Sequence, residues 1–272
     1  MEPAAGELLR LHTHQVDEAA AMAAEAFARV PAWTYIFEGL DEAERLAAMT
    51  WCLALTFRRG LDQGSARCAF AEGKDGGEEE MVCFFVFQPP RGLETSTLSM
   101  LRNGILFSYR FGLRSLARLL EVQEYHKRVE RGMGGDGAYH LERMAVRPGA
   151  QGGGIGSRCL GAALAEAAKK GCAVVLSTQE ARNVRFYERL GFEEVARDER
   201  YFKTAGSSGE TNWVMLKRPP VRAGGAQDRG EHVSQNRVKA ARSDTARGGY
   251  VALLGVVVLV CAMAGLRHLA ET

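Results

Sequence analysis

The chain has 272 residues, nearly half of them apolar and a quarter charged, which is ordinary composition for a globular protein with a real core. A net charge of +2 is too small to point to a nucleic-acid partner. The six cysteines are scattered, with no C-x-x-C pair and no histidine at metal-ligand spacing, so neither a disulfide framework nor a zinc site is expected.

The N-terminus is acidic and lacks the apolar core of a signal peptide. Residues 7–14 suit a short strand, and 17–29 read as an alanine-rich helix with Asp17 as its N-cap. A second helix is expected over 41–59, carrying Leu46, Met49, Leu53 and Leu55. Strands follow at 66–71 and 81–88, separated by a charged, glycine-rich turn; Pro89 and Pro90 stop the second. Residues 95–131 form a long helical stretch rich in leucine, broken by the glycines of 132–137. A strand over 139–146 then leads into a helix over 154–170, whose Ile155, Cys159, Leu160, Leu164 and Ala167 share one face. A buried strand at 173–178, a short helix at 182–190 and strands near 192–196 and 211–217 complete the pattern.

Residues 219–247 are poor in large apolar side chains and rich in Gly, Arg and Ser, the composition of a flexible linker. Residues 248–266 carry no charge and include the run Val256-Val257-Val258-Leu259-Val260. As a helix they span roughly 28 Å, close to the hydrocarbon thickness of a bilayer. Arg237, Lys239, Arg242 and Arg247 lie on the N-terminal side of this run, so the positive-inside rule keeps the preceding domain in the cytosol. The expectation is a single-pass, tail-anchored membrane protein.

The most informative segment runs from Leu141 to Gly156, where a strand enters a glycine-rich turn and a helix starts at once. Glycines there let a ligand approach the backbone, and the free N–H groups and dipole of the helix start favour an anion such as a pyrophosphate. It is not a Walker loop, since no Gly-Lys-Ser/Thr follows, and it does not fit G-x-G-x-x-G. On the preceding strand, residues 140, 142, 144 and 146 are expected to share a face, placing His140 beside Glu142.

Gln151-x-x-Gly154-x-Gly156 after Met-Ala-Val-x-Pro resembles the coenzyme A motif of the GNAT N-acetyltransferase superfamily. The segment from Asn183 to Phe192 (Asn-Val-Arg-Phe-Tyr-Glu-Arg-Leu-Gly-Phe) is similar to that superfamily's second signature. Arg182 to Phe192, with Trp213 to Pro219, further resembles the branch that includes puromycin N-acetyltransferase, although Ser177 stands where that branch carries a carboxylate.

The resemblance implies an α/β domain over 1–218, built on a mixed, mostly antiparallel sheet that splays at its centre and is flanked by helices. The helical segment 93–131 is then expected to wall the acceptor side. It also implies acetyl-CoA as co-substrate, no metal, and direct transfer of the acetyl group to a primary amine of a small molecule or peptide. Backbone groups of Met144, Ala145 and Val146 would meet the pantetheine and thioester. The amides of Gln151, Gly152, Gly153, Gly154, Ile155, Gly156 and Ser157 would hold the pyrophosphate, and Asn183 would contact the pantetheine arm. Tyr187 matches the general acid. His140 falls where histone acetyltransferases of this fold carry a catalytic Glu, and His140 with Glu142 matches the histidine pair of arylalkylamine N-acetyltransferases, so both are candidate bases. The alternative is an acyl-CoA-binding or scaffold protein that keeps the fold without turnover.

Overall fold

The computed structural model describes residues 8–72, 79–90, 97–201 and 210–220. The linker beyond residue 220 and the apolar run 248–266 lie outside the described residues; among those described, no helix is long and apolar enough to cross a membrane. The elements are β1 (Leu9–Arg10), α1 (Val16–Phe27), α2 (Pro31–Ile36), α3 (Glu42–Asp62), β2 (Ala66–Glu72), β3 (Glu79–Gln88) and α4 (Thr97–Gly134). They continue with β4 (Tyr139–Val146), α5 (Ile155–Lys169), β5 (Val174–Thr178), α6 (Ala181–Arg189), β6 (Glu193–Tyr201) and β7 (Glu210–Lys217).

The strands form one mixed sheet in the order β1-β2-β3-β4-β5-β7-β6. Every pairing is antiparallel except β4 with β5. The β4–β5 ladder holds only Tyr139↔Val174 and His140↔Val175, so the two strands separate after His140. This is the expected central splay. One apolar layer (Leu53, Phe57, Phe84, Val175) fills the space between the sheet and α1, α3 and α4. The other (Phe85, Leu141, Leu160, Tyr187) lies between the sheet and α5 and α6.

Helix starts follow local chemistry. Asp41 caps α3: its carboxylate accepts from the Glu44 N–H at 2.8 Å, and Glu44 returns a bond to the Asp41 N–H at 3.1 Å. Asp17 is not a cap. The helix begins one residue earlier at Val16, and Asp17 lies in its first turn, paired with Arg58 at 3.2 Å. The segment expected as a strand over 7–14 holds only the two residues of β1, followed by a 3-10 turn at Thr13–Gln15. Helix α2 was not expected; Pro31 supplies its N1 residue, and Trp33 and Ile36 bury it. Helix α4 bends at Gly112, whose φ of 83° and ψ of 156° are not helical.

Candidate active site

The site is organised by the parting of β4 from β5 and by an irregularity in β4. Phe84 faces Ala145 while Val86 faces Glu142, so β4 carries one residue more than β3 across this stretch. The extra residue comes at Arg143, whose φ of 55° is the one positive value among the described non-glycine residues. A bulge of one residue reverses the side-chain alternation.

His140 and Glu142 accordingly face α3 and α4, where Glu142 lies 3.8 Å from Arg59 and His140 reaches α4. Met144 and Val146 face α5 and α6 instead, close against Gly156. The expected single face for 140, 142, 144 and 146 is therefore corrected to two faces, divided by the bulge.

The backbone of β4 gains from the same parting. Arg147 donates its N–H to Val82 O at 2.9 Å, on the β3 side. By strand alternation the N–H groups of Val146 and Met144 then point into the gap toward β5, and that of Ala145 points to β3. The Val146 carbonyl accepts from Gln151 Nε2 at 3.0 Å.

At the mouth of the gap the glycine turn leads into α5. Gly152 and Gly154 hold positive φ values of 84° and 76°, conformations that other residues adopt only with strain. Gly156 has an ordinary φ, but a Cβ there would lie 3.2 Å from the Val146 side chain and 3.4 Å from that of Met144, a tight fit that glycine relieves where the strand and helix approach. Among the described residues, the N–H groups from Gly152 through Ser157 donate no hydrogen bond, which leaves an array of donors at a helix N-terminus. The Gln151 N–H is excluded from the array, being used on Pro148 O at 3.3 Å. Arg158 lies beside the turn and donates to Gly153 O at 3.2 Å.

Tyr187 sits on α6 against Phe186 and Phe192, with ring centroids 5.1 and 5.6 Å away. Burial, reinforced by nearby Cys83, pushes its phenol well above the ordinary tyrosine range, so it stays protonated at neutral pH. Asn183 lies one turn earlier, its Nδ2 3.4 Å from Thr178 Oγ1 at the end of β5.

On the other face of the sheet lies a cluster that no short motif announces. Glu130 of α4 accepts from His140 Nδ1 at 3.0 Å, and its second oxygen lies 3.7 Å from His126 Nδ1. Burial penalises charge on both Glu130 and His140, but their mutual hydrogen bond and attraction outweigh it. The carboxyl is held below its ordinary range and the imidazole is raised, with Glu142 adding to the latter. His126 goes the other way: burial, helped by Arg143 and opposed by Glu130, lowers it to about 4, so it is neutral at pH 7. The hydroxyl of Ser177 is buried on this face of β5, without a hydrogen-bond partner among the described residues, and its proximity helps hold the Glu130 carboxyl low. With Nδ1 committed to Glu130, His140 keeps Nε2 for an external proton. The signal for Glu130 and His126 was their i, i+4 spacing inside the long helix, which reads equally well as a solvated pair.

Residues 120–194 match the family model of the acetyltransferase (GNAT) domain. The fold is that of the GNAT acetyltransferases. The structure of histone acetyltransferase HPA2 and related acetyltransferase from Corynebacterium glutamicum superposes with a TM-score of 0.55 at 18% identity, covering 79% of this chain and 97% of that one. The polyamine N-acetyltransferase of Drosophila melanogaster gives a TM-score of 0.49 at 13% identity, with 78% and 98% covered. The structure of yncA from Salmonella typhimurium with its cofactor acetyl-CoA gives 0.46 at 15% identity, with 80% and 96% covered. No curated protein sequence matches the chain. Among the described residues, no group of three His, Cys, Asp or Glu side chains is placed to hold a metal ion.

Proposed function

We propose that this chain is an acetyl-CoA-dependent N-acetyltransferase acting on a primary amine of a small molecule or peptide. The observation that carries the reading is the joining of two donor sets on one path. The free N–H array of Gly152–Ser157 leads to the amides of Val146 and Met144 inside the gap between β4 and β5. The first set suits the pyrophosphate of acetyl-CoA, and the second suits the thioester oxygen as it gains charge. Gln151 and Asn183 flank the path, where the pantetheine arm would lie.

The amine attacks the thioester carbonyl carbon, forming the C–N bond as the C–S bond breaks. Tyr187 donates its proton to the departing sulfur, a role for which its raised pKa keeps it supplied. The amine attacks in its neutral form, and the surplus proton left on its nitrogen as the C–N bond forms passes to His140, directly or through water, with Glu142 beside it. Glu130 holds the His140 ring and favours the imidazolium that forms. The products are the N-acetyl amine and the coenzyme A thiol. Placing both substrates in one cleft supplies much of the rate enhancement.

The likeness of residues 182–192 and 213–219 to the puromycin N-acetyltransferase branch supports a small-molecule acceptor. Ser177 argues for a different acceptor from that branch, because it puts a neutral hydroxyl beside Glu130. The uncharged run 248–266, preceded by basic residues, supports a membrane-anchored protein with its catalytic domain on the cytosolic face.

Calorimetry with acetyl-CoA and with free acetate tests the cofactor assignment. Acetyl-CoA should bind in the micromolar range and acetate should not bind; no heat with acetyl-CoA would sink the reading.

A further inference from the structure

The three large apolar side chains exposed among the described residues all lie on one short stretch of α4. Tyr109 is 89% exposed, Leu106 47% and Leu113 39%. Their exposure is enforced from behind. Phe107 and Phe111 point inward and stack with each other, Trp51 and Phe37 at centroid separations of 5.2 to 6.0 Å, which fixes the outward face of the helix.

The charge on this stretch is all of one sign. From Thr97 to Leu120 the sequence holds Arg102, Arg110, Arg114 and Arg118 and no acidic residue. Arg118 is turned inward onto Glu38. The other three are exposed and form no ion pair within the described residues. This stretch thus exposes an aromatic, two leucines and three arginines on the two sides of Gly112, where the helix bends. Apolar side chains among unpaired cations suit a surface that is itself anionic at the top and apolar beneath.

We infer that the Leu106–Arg114 face of α4 docks on the anionic headgroups of the bilayer that the apolar run 248–266 enters. The inference deepens the membrane-anchored reading and rests on it for the identity of the surface. About thirty residues separate the domain from that run and keep it within roughly 30 Å of the lipid, at an effective concentration on the order of millimolar. A weak patch suffices under those conditions, with each arginine near an anionic surface adding about fivefold to the docked population. Docking turns α4, which also carries Glu130 and His126, toward the membrane and so fixes the side from which an acceptor reaches the site.

The test uses the full chain, mixed from detergent with vesicles of phosphatidylcholine or of phosphatidylcholine with phosphatidylserine, and reads both pelleting and amide hydrogen exchange. The expected result is pelleting with both vesicles, and slowing of exchange in peptides covering 105–114 by about tenfold or more on the phosphatidylserine vesicles alone. The R102E/R110E/R114E variant should still pellet but lose the slowing, with its near-UV circular dichroism showing an intact fold. Pelleting without slowed exchange would leave the anchor standing and overturn the docking face. Slowed exchange on phosphatidylserine vesicles without pelleting on phosphatidylcholine would do the reverse. Equal slowing on both vesicles would overturn the role of the arginines. Slow exchange before any vesicle is added would mean that the chain itself or a second copy covers the face, which also overturns the inference.

Discussion

Replacing Glu130 by Gln removes a charge while keeping an acceptor for His140 Nδ1, so it separates orientation from electrostatics. Hydrogen bonds to charged groups contribute about 1.5–3 kcal/mol, against about 0.5–1.5 kcal/mol for neutral pairs. The 3.0 Å bond to His140 is partly buried, so the substitution should forfeit on the order of 1 kcal/mol of support for the imidazolium. At 1.36 kcal/mol per decade, the plateau rate falls roughly five- to tenfold. Glu130→Ala also loses the acceptor and should fall by roughly ten- to a hundredfold.

The pH profile carries the stronger test. Glu130 raises the His140 pKa against the opposing effect of burial, so the acidic limb of kcat/KM should lie above the ordinary imidazole value in the parent. In Glu130→Gln, burial is left less opposed and the limb should move to lower pH. Stability follows the same linkage. The His140 contribution is present below its unfolded pKa and lost as pH rises through the raised folded value. The Glu130 contribution is present above its unfolded pKa and lost as pH falls through the depressed one. The assay is coenzyme A release against pH with the most active amine of a panel. An unmoved acidic limb in Glu130→Gln, with His140→Ala also keeping the parent profile, would refute the dyad.

Gly154→Asp puts a side chain at a φ of 76° and a negative charge among the free amides, so calorimetry should show acetyl-CoA affinity falling tenfold or more. Gly156→Ala forces a methyl to 3.2 Å from Val146 and 3.4 Å from Met144. Urea denaturation should report a loss of about 1–3 kcal/mol. Asp41→Ala removes the α3 cap and its reciprocal bond with Glu44; a loss of about 1 kcal/mol should appear as a lowered Tm.

What was legible in the sequence was local. The glycine turn could be read because its function depends on residues that touch in sequence, and helix α3 because its apolar residues recur at helical spacing over 41–59. Strand and helix positions around the site follow from apolar periodicity that the core then uses. The bulge at Arg143 was not legible. Nothing in Leu141–Val146 marks the residue that takes a positive φ, and a single insertion sends Met144 and Val146 to the opposite face. Glu130 and His140 are ten residues apart on different elements, and only the packing of α4 against β4 and β5 makes them partners. Helix α2 escaped because six residues around two aromatics carry too little periodicity to read.

The central claim is that the parting of β4 and β5 holds acetyl-CoA with its thioester between Tyr187 and the acceptor amine. The measurement that tests it most directly is mass spectrometry of an amine panel (polyamines, aminoglycosides, arylalkylamines and peptides) incubated with acetyl-CoA and the protein, beside the same assay with Tyr187→Phe. An acetylated amine should appear in step with released coenzyme A. In Tyr187→Phe the rate should drop by roughly 10²-fold, with acetyl-CoA binding nearly unchanged. Acetyl-CoA bound tightly with no acetylated product from any amine, or full turnover in Tyr187→Phe, would contradict the account.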